Sequence, residues 1–289
     1  AITAGSAVIG PIFPPSIPLV IYGVIAGASI GNLFLAGMVP GIILALALCI
    51  YVCYIANKRN YPSGRKYAGM EFIRMTVSAI PALLTPIILL MGIYTGIMTA
   101  TEAGAVAALY ALLISIFAYR SMTLPEFIQV LKNTVKSTGQ IGIMLGAAYV
   151  FSYVIAVENL PSLAGNLILS FATTKVTFLI FVNIILFILG MLLDSAVLQL
   201  VLLPILCPIA QSLGIDMVHF GVVFTLNTMI GLCTPPFGML LFIVTGISGE
   251  KMNTIIKEVM PMVLVMVLVL ILVTFVPDVI MWLPRLFGR

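Results

Sequence analysis

The chain alternates long apolar runs with short polar interruptions, and the runs have the length of helices that cross a bilayer, about 20 residues. The two-residue alternation of membrane strands is absent. Residues 39–56 (VPGIILALALCIYVCYIA) predict one span, which runs into Lys58, Arg59, Arg65, Lys66 and Arg74. Residues 78–94 and 102–119 predict two more, joined by an uncharged turn from Thr95 to Thr101. A polar helix is expected over 123–136, with Lys132 and Lys136, then a span over 138–156 and a short interfacial helix over 161–173. Residues 176–193 and 196–214 are joined by GMLLDSA, 217–247 is interrupted by prolines, and 260–276 closes the series.

Loop charge orients these runs, because lysine and arginine collect on the cytoplasmic side. The basic loops at 58–74 and 120–136 then lie inside. If 176–214 is a re-entrant hairpin with its tip near Asp194, the run 217–247 returns inward to Lys251 and Lys257. Two full spans at 176–214 would give no such match, so the hairpin is preferred. Arg285 and Arg289 then fall outside, against the rule.

Composition fixes the class. Of 289 residues, 62% are hydrophobic and only 8% charged, with mean hydropathy +1.27. Soluble domains carry roughly 25% charged residues. The expectation is an all-α integral membrane protein embedded in a lipid bilayer. The net charge of +4 comes from loop residues and is no nucleic-acid footprint. Cys49, Cys53, Cys207 and Cys233 lie in apolar segments without a CxxC pair and read as small hydrophobes. The sequence starts at Ala1 in mid-pattern, without a signal peptide, and reads as the later part of a longer chain.

The first segment, AITAGSAVIGPIFPPSIPLVIYG, is too rich in glycine and proline for a plain span. In a helix interior glycine costs about 1 kcal/mol and proline about 3. The same breakers recur later: Ile9 to Pro15 (IGPIFPP) falls on Ile230 to Pro236 (IGLCTPP) at a shift of 221, from 9 to 230. At that shift Asn32 falls on Asn253 and Pro40 on Pro261. The loop charges give the copies opposite orientation, which makes an inverted repeat of discontinuous helices. Secondary transporters place substrate and coupling ions at such breaks. Interruption frees carbonyls for a cation at the end of one half-helix and N–H groups for a carboxylate at the start of the next. Thr3, Gly5, Ser6, Gly10 and Ser16 surround the first break; Thr225, Asn227, Thr228, Gly231, Thr234 and Gly238 surround the second. These neutral oxygens suit a hard monovalent cation; the alternative is that they only kink and pack helices.

Among single residues, Asp194 is the acid deepest in an apolar stretch and reads as a member of the ion site, as the cap of the following helix, or both. Glu102 reads as a helix cap with Thr99 or Thr101, beside a small-residue face for close packing. His219 reads as a surface or cap residue and Trp282 as an interfacial anchor. No HExxH and no phosphate-binding GxxxxGK[ST] is present, so neither an enzyme nor an ATP-driven pump is indicated.

GPIFPPSIPLVIYGV, TATEAGAVAALYALL, GMLLDSA and HFGVVFTLNTMIGLCTPPFGMLLFIVTGI together resemble the large membrane subunit of tripartite ATP-independent periplasmic (TRAP) transporters, along essentially the whole chain. The resemblance implies an elevator-type secondary transporter of the bacterial inner membrane, driven by Na⁺ symport. It implies a periplasmic substrate-binding protein, a small four-helix membrane subunit and an organic-acid substrate, sialic acid being preferred over a C4-dicarboxylate. No cofactor is implied beyond Na⁺ as coupling ion, and no resident metal. Residues 1–56 would end the first repeat, with a broken helix at 1–27 in the transport domain and the span 39–56. Residues 57–160 would form scaffold spans and an arm helix. Residues 161–289 would form the second repeat: hairpin 176–214, broken helix 217–247 and final span 260–276. The first hairpin would precede Ala1, which makes the sequence N-terminally incomplete.

By position, the resemblance puts Na⁺ at Gly5, Ser6 and Gly10, and at Gly190, Asp194, Thr228, Gly231 and Thr234. It puts the substrate at Pro14, Pro15, Ser16, Asn227, Pro235 and Pro236. The rival readings are a binding-protein-independent Na⁺/carboxylate symporter of the divalent-anion type, a membrane scaffold, and a channel.

Overall fold

A computed structural model describes residues 1–61, 69–158 and 173–287, apart from the side chains of residues 148, 152 and 156. The described residues are helical or irregular, with no strand among them. Six of the described helices are long and apolar enough to cross a membrane. The chain divides into two compact units, residues 1–58 with 148–289, and residues 59–147.

In the first unit, α1 (Ile2–Ala7) and α2 (Ile17–Ala26) are separated by turns, and α3 (Ile30–Lys58) follows. Later come α7 (Lys175–Gly190), α8 (Ser195–Ser212), α9 (Met217–Gly231), α10 (Met239–Ser248), α11 (Met252–Phe275) and α12 (Asp278–Phe287). The duplicated pattern is visible as structure: α1, α2 and α3 match the end of α9, α10 and α11. Both helices stop before their proline pair, and Pro14–Pro15 and Pro235–Pro236 are both cis.

Packing is organised around α9. Its sequence is apolar over most of its surface, the mark of a buried helix, and every residue from His219 to Gly231 is buried. It packs against α2, α3, α7, α8, α11 and α12. Gly221 lets the Tyr22 ring of α2 approach, since a Cβ there would lie 2.4 Å from that ring. The Tyr22 hydroxyl donates to the Met217 carbonyl at 2.8 Å, and Phe220 and Phe224 complete an aromatic cluster around it. Similarly, Gly37 and Gly41 make a groove in α3 for the first break, with Ile12 O and Phe13 filling the space of their absent side chains.

The second unit is built on α4 (Gly69–Tyr94) packed against α5 (Ala100–Leu113), which ends in a π-helical turn at Ile114–Ala118. Thr99 and Glu102 form a capping box: the Glu102 carboxylate accepts from Thr99 N at 2.8 Å, and Thr99 Oγ1 accepts from Glu102 N at 3.3 Å. Ala103 and Ala107 are the part of the small-residue face that is buried; a Cβ at Gly104 would meet nothing. Helix α6 (Leu124–Val157) crosses the boundary of the two units in sequence.

Several expectations change. The polar helix 123–136 and the span 138–156 are one helix of 34 residues. No proline separates them, and the nearest glycine, Gly139, costs too little to end a helix of good formers. Pro40 and Pro261 lie inside α3 and α11 rather than opening them. Packed neighbours offset the single lost backbone bond at each. His219 is buried, not superficial, and its Nε2–H donates to the Val273 carbonyl at 2.9 Å. Arg65, Lys66, Arg289 and nearly all of the expected 161–173 helix lie outside the described residues. Trp282 is exposed on α12, as an interfacial residue should be.

If the Tyr22–Gly221 contact holds α2 on α9, Gly221→Ala will lower thermal stability in detergent by about 1–3 kcal/mol through overpacking. Tyr22→Phe, which keeps the ring and loses one hydrogen bond, will lower it by about 0.5–1.5 kcal/mol. Paired thermal melts check both, and a neutral Gly221→Ala would remove the contact from the account.

Candidate functional site

The turn between α7 and α8 meets the break after α9. Two glycines make this meeting possible. A Cβ at Gly231 would lie 2.6 Å from the Gly190 carbonyl carbon, and one at Gly190 would lie 3.4 Å from Thr228 and Gly231 Cα. The backbones therefore touch without side chains between them. Asp194 caps α8, its Oδ1 accepting from Ala196 N at 2.8 Å, which fixes the last residue of the turn. Gly238 opens α10 in the left-handed region at φ +44°, a conformation cheap only for glycine. Its N–H donates to Met191 O in the α7–α8 turn at 3.1 Å. One of the N–H groups freed by the second break is thus used by that turn.

The hydroxyls are arranged just inside this junction. Thr228 Oγ1 lies 3.0 Å from Thr225 O and 3.1 Å from Phe224 O, so it donates along its own helix. Ser195 Oγ lies 2.9 Å from Thr228 Oγ1 and is left as the donor between the two. Thr234 Oγ1 likewise donates back to Ile230 O at 2.9 Å. With their protons directed this way, both threonines keep oxygen lone pairs for another partner. All three are buried. Such a set has acceptor oxygens in a poorly hydrated setting, which is what binding a small alkali cation requires.

Gly190, Thr228 and Gly231 are therefore brought together, with Asp194 and Thr234 in the adjoining turns. Around the first break, Gly5 is buried under Met262, while Ser6 and Gly10 are exposed. Ser16 is buried and caps α2, accepting from Leu19 N at 3.2 Å and donating to Pro11 O. Pro14 is buried, Pro15 and Pro236 are exposed, and Pro235 is half-buried. The two breaks meet through Cys233, whose thiol donates to Ala4 O at 3.0 Å. Asn227 stands apart from the proline pairs. Its amide N–H groups donate to Asn183 O at 2.9 Å and Asn183 Oδ1 at 2.6 Å on α7.

Three polar residues of this region escape a reading of the sequence: Asn183, Ser195 and Gln199. Gln199 is fully buried; its Nε2 reaches Thr225 Oγ1 at 3.5 Å and its Oε1 has no hydrogen-bond partner, like Oδ1 of Asn227. Position alone marks them: Ser195 follows Asp194 directly, Gln199 lies one turn beyond Ser195, and Asn183 lies two turns before Gly190. Gly27–Gly31 (GASIG) also has the G-x-S-x-G spacing of a hydrolase nucleophile. Here Ser29 Oγ accepts from Asn32 N at the start of α3. The chain's one histidine is committed to Val273.

A buried helical core, paired helix interruptions and a polar junction in an apolar chain define a multi-pass membrane protein of the transporter type. Residues 1–279 match the model of the tripartite ATP-independent periplasmic transporter, DctM component, and the chain belongs to that family. It is 41% identical over 286 residues to the sialic acid TRAP transporter large permease protein SiaM of Vibrio cholerae, covering 99% of this chain and 67% of that one. It is 38% identical over 285 residues to the sialic acid TRAP transporter permease protein SiaT of Haemophilus influenzae, covering 99% and 46%. It is 34% identical over 287 residues to the C4-dicarboxylate TRAP transporter large permease protein DctM of Pseudomonas aeruginosa, covering 99% and 67%. The chain thus spans about two thirds of two of these relatives and under half of SiaT. It is a permease component of the bacterial inner membrane, not an enzyme.

Because backbone faces backbone at the junction, Gly231→Ala will force the α7–α8 turn away and destabilise the protein by about 1–3 kcal/mol. Gly246→Ala, inside α10 with open space at its Cβ, will be neutral or stabilising by about 0.5–1 kcal/mol. Thermal unfolding of the two variants side by side tests the contact, and equal melting temperatures would contradict it.

Proposed function

We propose that this chain is the ion- and substrate-carrying part of a Na⁺-coupled importer of organic acids. In this reading the α7–α8 hairpin is re-entrant, and the two broken helices are an inverted pair. Their free carbonyls and hydroxyls hold Na⁺, and the starts of α2 and α10 face the substrate carboxylate. The cation at the second break sits among Gly190, Asp194, Thr228, Gly231 and Thr234; a second position lies along Gly5, Ser6 and Gly10. The substrate lies between Pro14, Pro15 and Ser16 on one side and Pro235 and Pro236 on the other, with Asn227 bracing α9 from behind.

The observation that carries this reading is the junction itself. A buried set of lone-pair oxygens lies where a glycine-lined turn meets an interrupted helix. The crosswise packing of α1 against α10 and α11 supports the inverted pairing, since each early half-helix then meets the later half of the other copy. Transport by an elevator movement, delivery of substrate by a periplasmic binding protein and completion by a small membrane subunit are proposed on family membership. Among substrates, sialic acid is preferred to a C4-dicarboxylate because relatives named for sialic acid are 41% and 38% identical, against 34% and 36% for relatives named for C4-dicarboxylate.

The test is uptake of radiolabelled sialic acid or succinate into proteoliposomes containing the complete membrane complex, with each cognate binding protein and an imposed Na⁺ gradient. Uptake that depends on both will support the reading. Uptake without any binding protein would favour the independent Na⁺/carboxylate symporter instead. In the same assay Thr234→Val, isosteric and lacking one oxygen, will leave folding intact. It will raise half-saturating Na⁺ by roughly tenfold, the equivalent of about 1.4 kcal/mol. An unchanged Na⁺ titration would remove Thr234 from the site.

A further inference from the structure

At one end of the first unit, the start of α7, the α8–α9 turn, the end of α11 and the start of α12 enclose a cleft of about 430 Å³. That volume lies within the range of small-molecule pockets, roughly 300–1,000 Å³. Helix α11 has the length of a membrane span, and the cleft lies at its terminal Phe275, so the cleft lies at membrane-surface depth. Helix α12 is oriented for the same depth. Ile280, Met281 and Pro284 are buried against the protein, whereas Trp282 and Leu286, one turn apart, are exposed. An exposed tryptophan beside apolar residues on a short amphipathic helix belongs at the headgroup level.

The walls are of two kinds. Val176, Leu179, Phe275 and Met281 make an apolar side. The polar side carries Lys175, Asp216 and Arg285. Lys175 Nζ donates to Gly214 O at 2.8 Å, which pins one ammonium at the lip. Asp216 caps α9 through Oδ1 alone, accepting from Val218 N and His219 N. Arg285 Nη1 bonds Asp278 Oδ1 at 2.7 Å, with both side chains mostly exposed, and a guanidinium has further N–H groups to donate. Two cations and one carboxylate therefore line one half-apolar cleft, and Asp278 pairs with Arg285 beside it.

We infer that this cleft binds the headgroup of a zwitterionic phospholipid with a primary ammonium. Lys175 and Arg285 take the phosphate, Asp216 takes the ammonium, and the acyl chains leave over Trp282 and Leu286. Cations and a carboxylate in one lining select this class. An anionic glycerol headgroup brings Asp216 only neutral hydroxyls and no opposite charge, and a quaternary choline offers it no N–H. Free phosphate leaves the apolar wall unused. The inference stands independently of what the protein transports.

The test uses the purified, delipidated membrane complex. Phosphatidylethanolamine, phosphatidylcholine, phosphatidylglycerol and inorganic phosphate are added separately, and bound lipid is read by native mass spectrometry alongside the melting temperature. Phosphatidylethanolamine is expected to remain bound and to raise the melting temperature more than the other three. The double variant Lys175→Gln, Arg285→Gln is expected to weaken its retention by roughly tenfold, with an unchanged melting temperature in the absence of lipid. Asp216→Asn, which keeps a capping side chain, is expected to abolish the preference over phosphatidylcholine. Equal retention of the three lipids, unchanged retention by the double variant, or full stabilisation by phosphate alone would each overturn the proposal.

Discussion

Inside a membrane a backbone N–H or carbonyl that leaves its helix must find another partner within the protein, because lipid supplies none and each unmet group costs several kcal/mol. The first unit interrupts two helices and is arranged around meeting that requirement. At the second break Gly238 N–H goes to Met191 O, and Leu240 N–H reaches back to Leu232 O at 3.1 Å. At the first, Phe13 N–H returns to Ile9 O at 2.9 Å and Ser16 closes on Pro11. These bonds fix the interruptions as defined turns. They also determine which lone pairs are left over, and those surplus oxygens are the basis of the proposed ion chemistry.

Close approach is the second half of the same constraint. Met191 O reaches Gly238 because Gly190 and Gly231 have no side chains to hold the turn away from α9. The same device seats the first break in α3 through Gly37 and Gly41, and α2 on α9 through Gly221. Helix α9 can therefore act as a central post that is apolar on most of its surface and polar on two flanks. Asn227 ties it to Asn183 on α7, and Thr225 and Thr228 meet Gln199 and Ser195 on α8. Among the described residues, the buried amide oxygens without partners, in Gln199 and Asn227, lie on these flanks. Buried polar groups of this kind are uncommon in a packed core, and their position beside the junction gives it polarity beyond its hydroxyls.

Much of this was legible in the residues. Helix breakers are rare in spans, so their recurrence at Pro14–Pro15 and Pro235–Pro236 carries information that recurring leucines would not. Asp194 and Glu102 were recognisable as caps because capping depends on two or three neighbouring positions. Long-range partners were not legible. Nothing local distinguishes Gln199 from an exposed glutamine, and His219 looked superficial because it follows the polar Asp216 at a helix start. Its burial results from the end of α11 covering it, 54 residues away in sequence.

The order of residues by itself determined that the chain is helical and membrane-embedded, that helices are interrupted at the two proline pairs, and that the break is duplicated. These follow from composition and local backbone chemistry, which act over a few residues. Only the tertiary structure decided that the α7–α8 turn lies against the second break, that Asn227 turns to Asn183 rather than to the prolines, and that one break touches the other through Cys233 and Ala4. These are matters of which surfaces come within van der Waals reach, and that depends on how distant helices pack together.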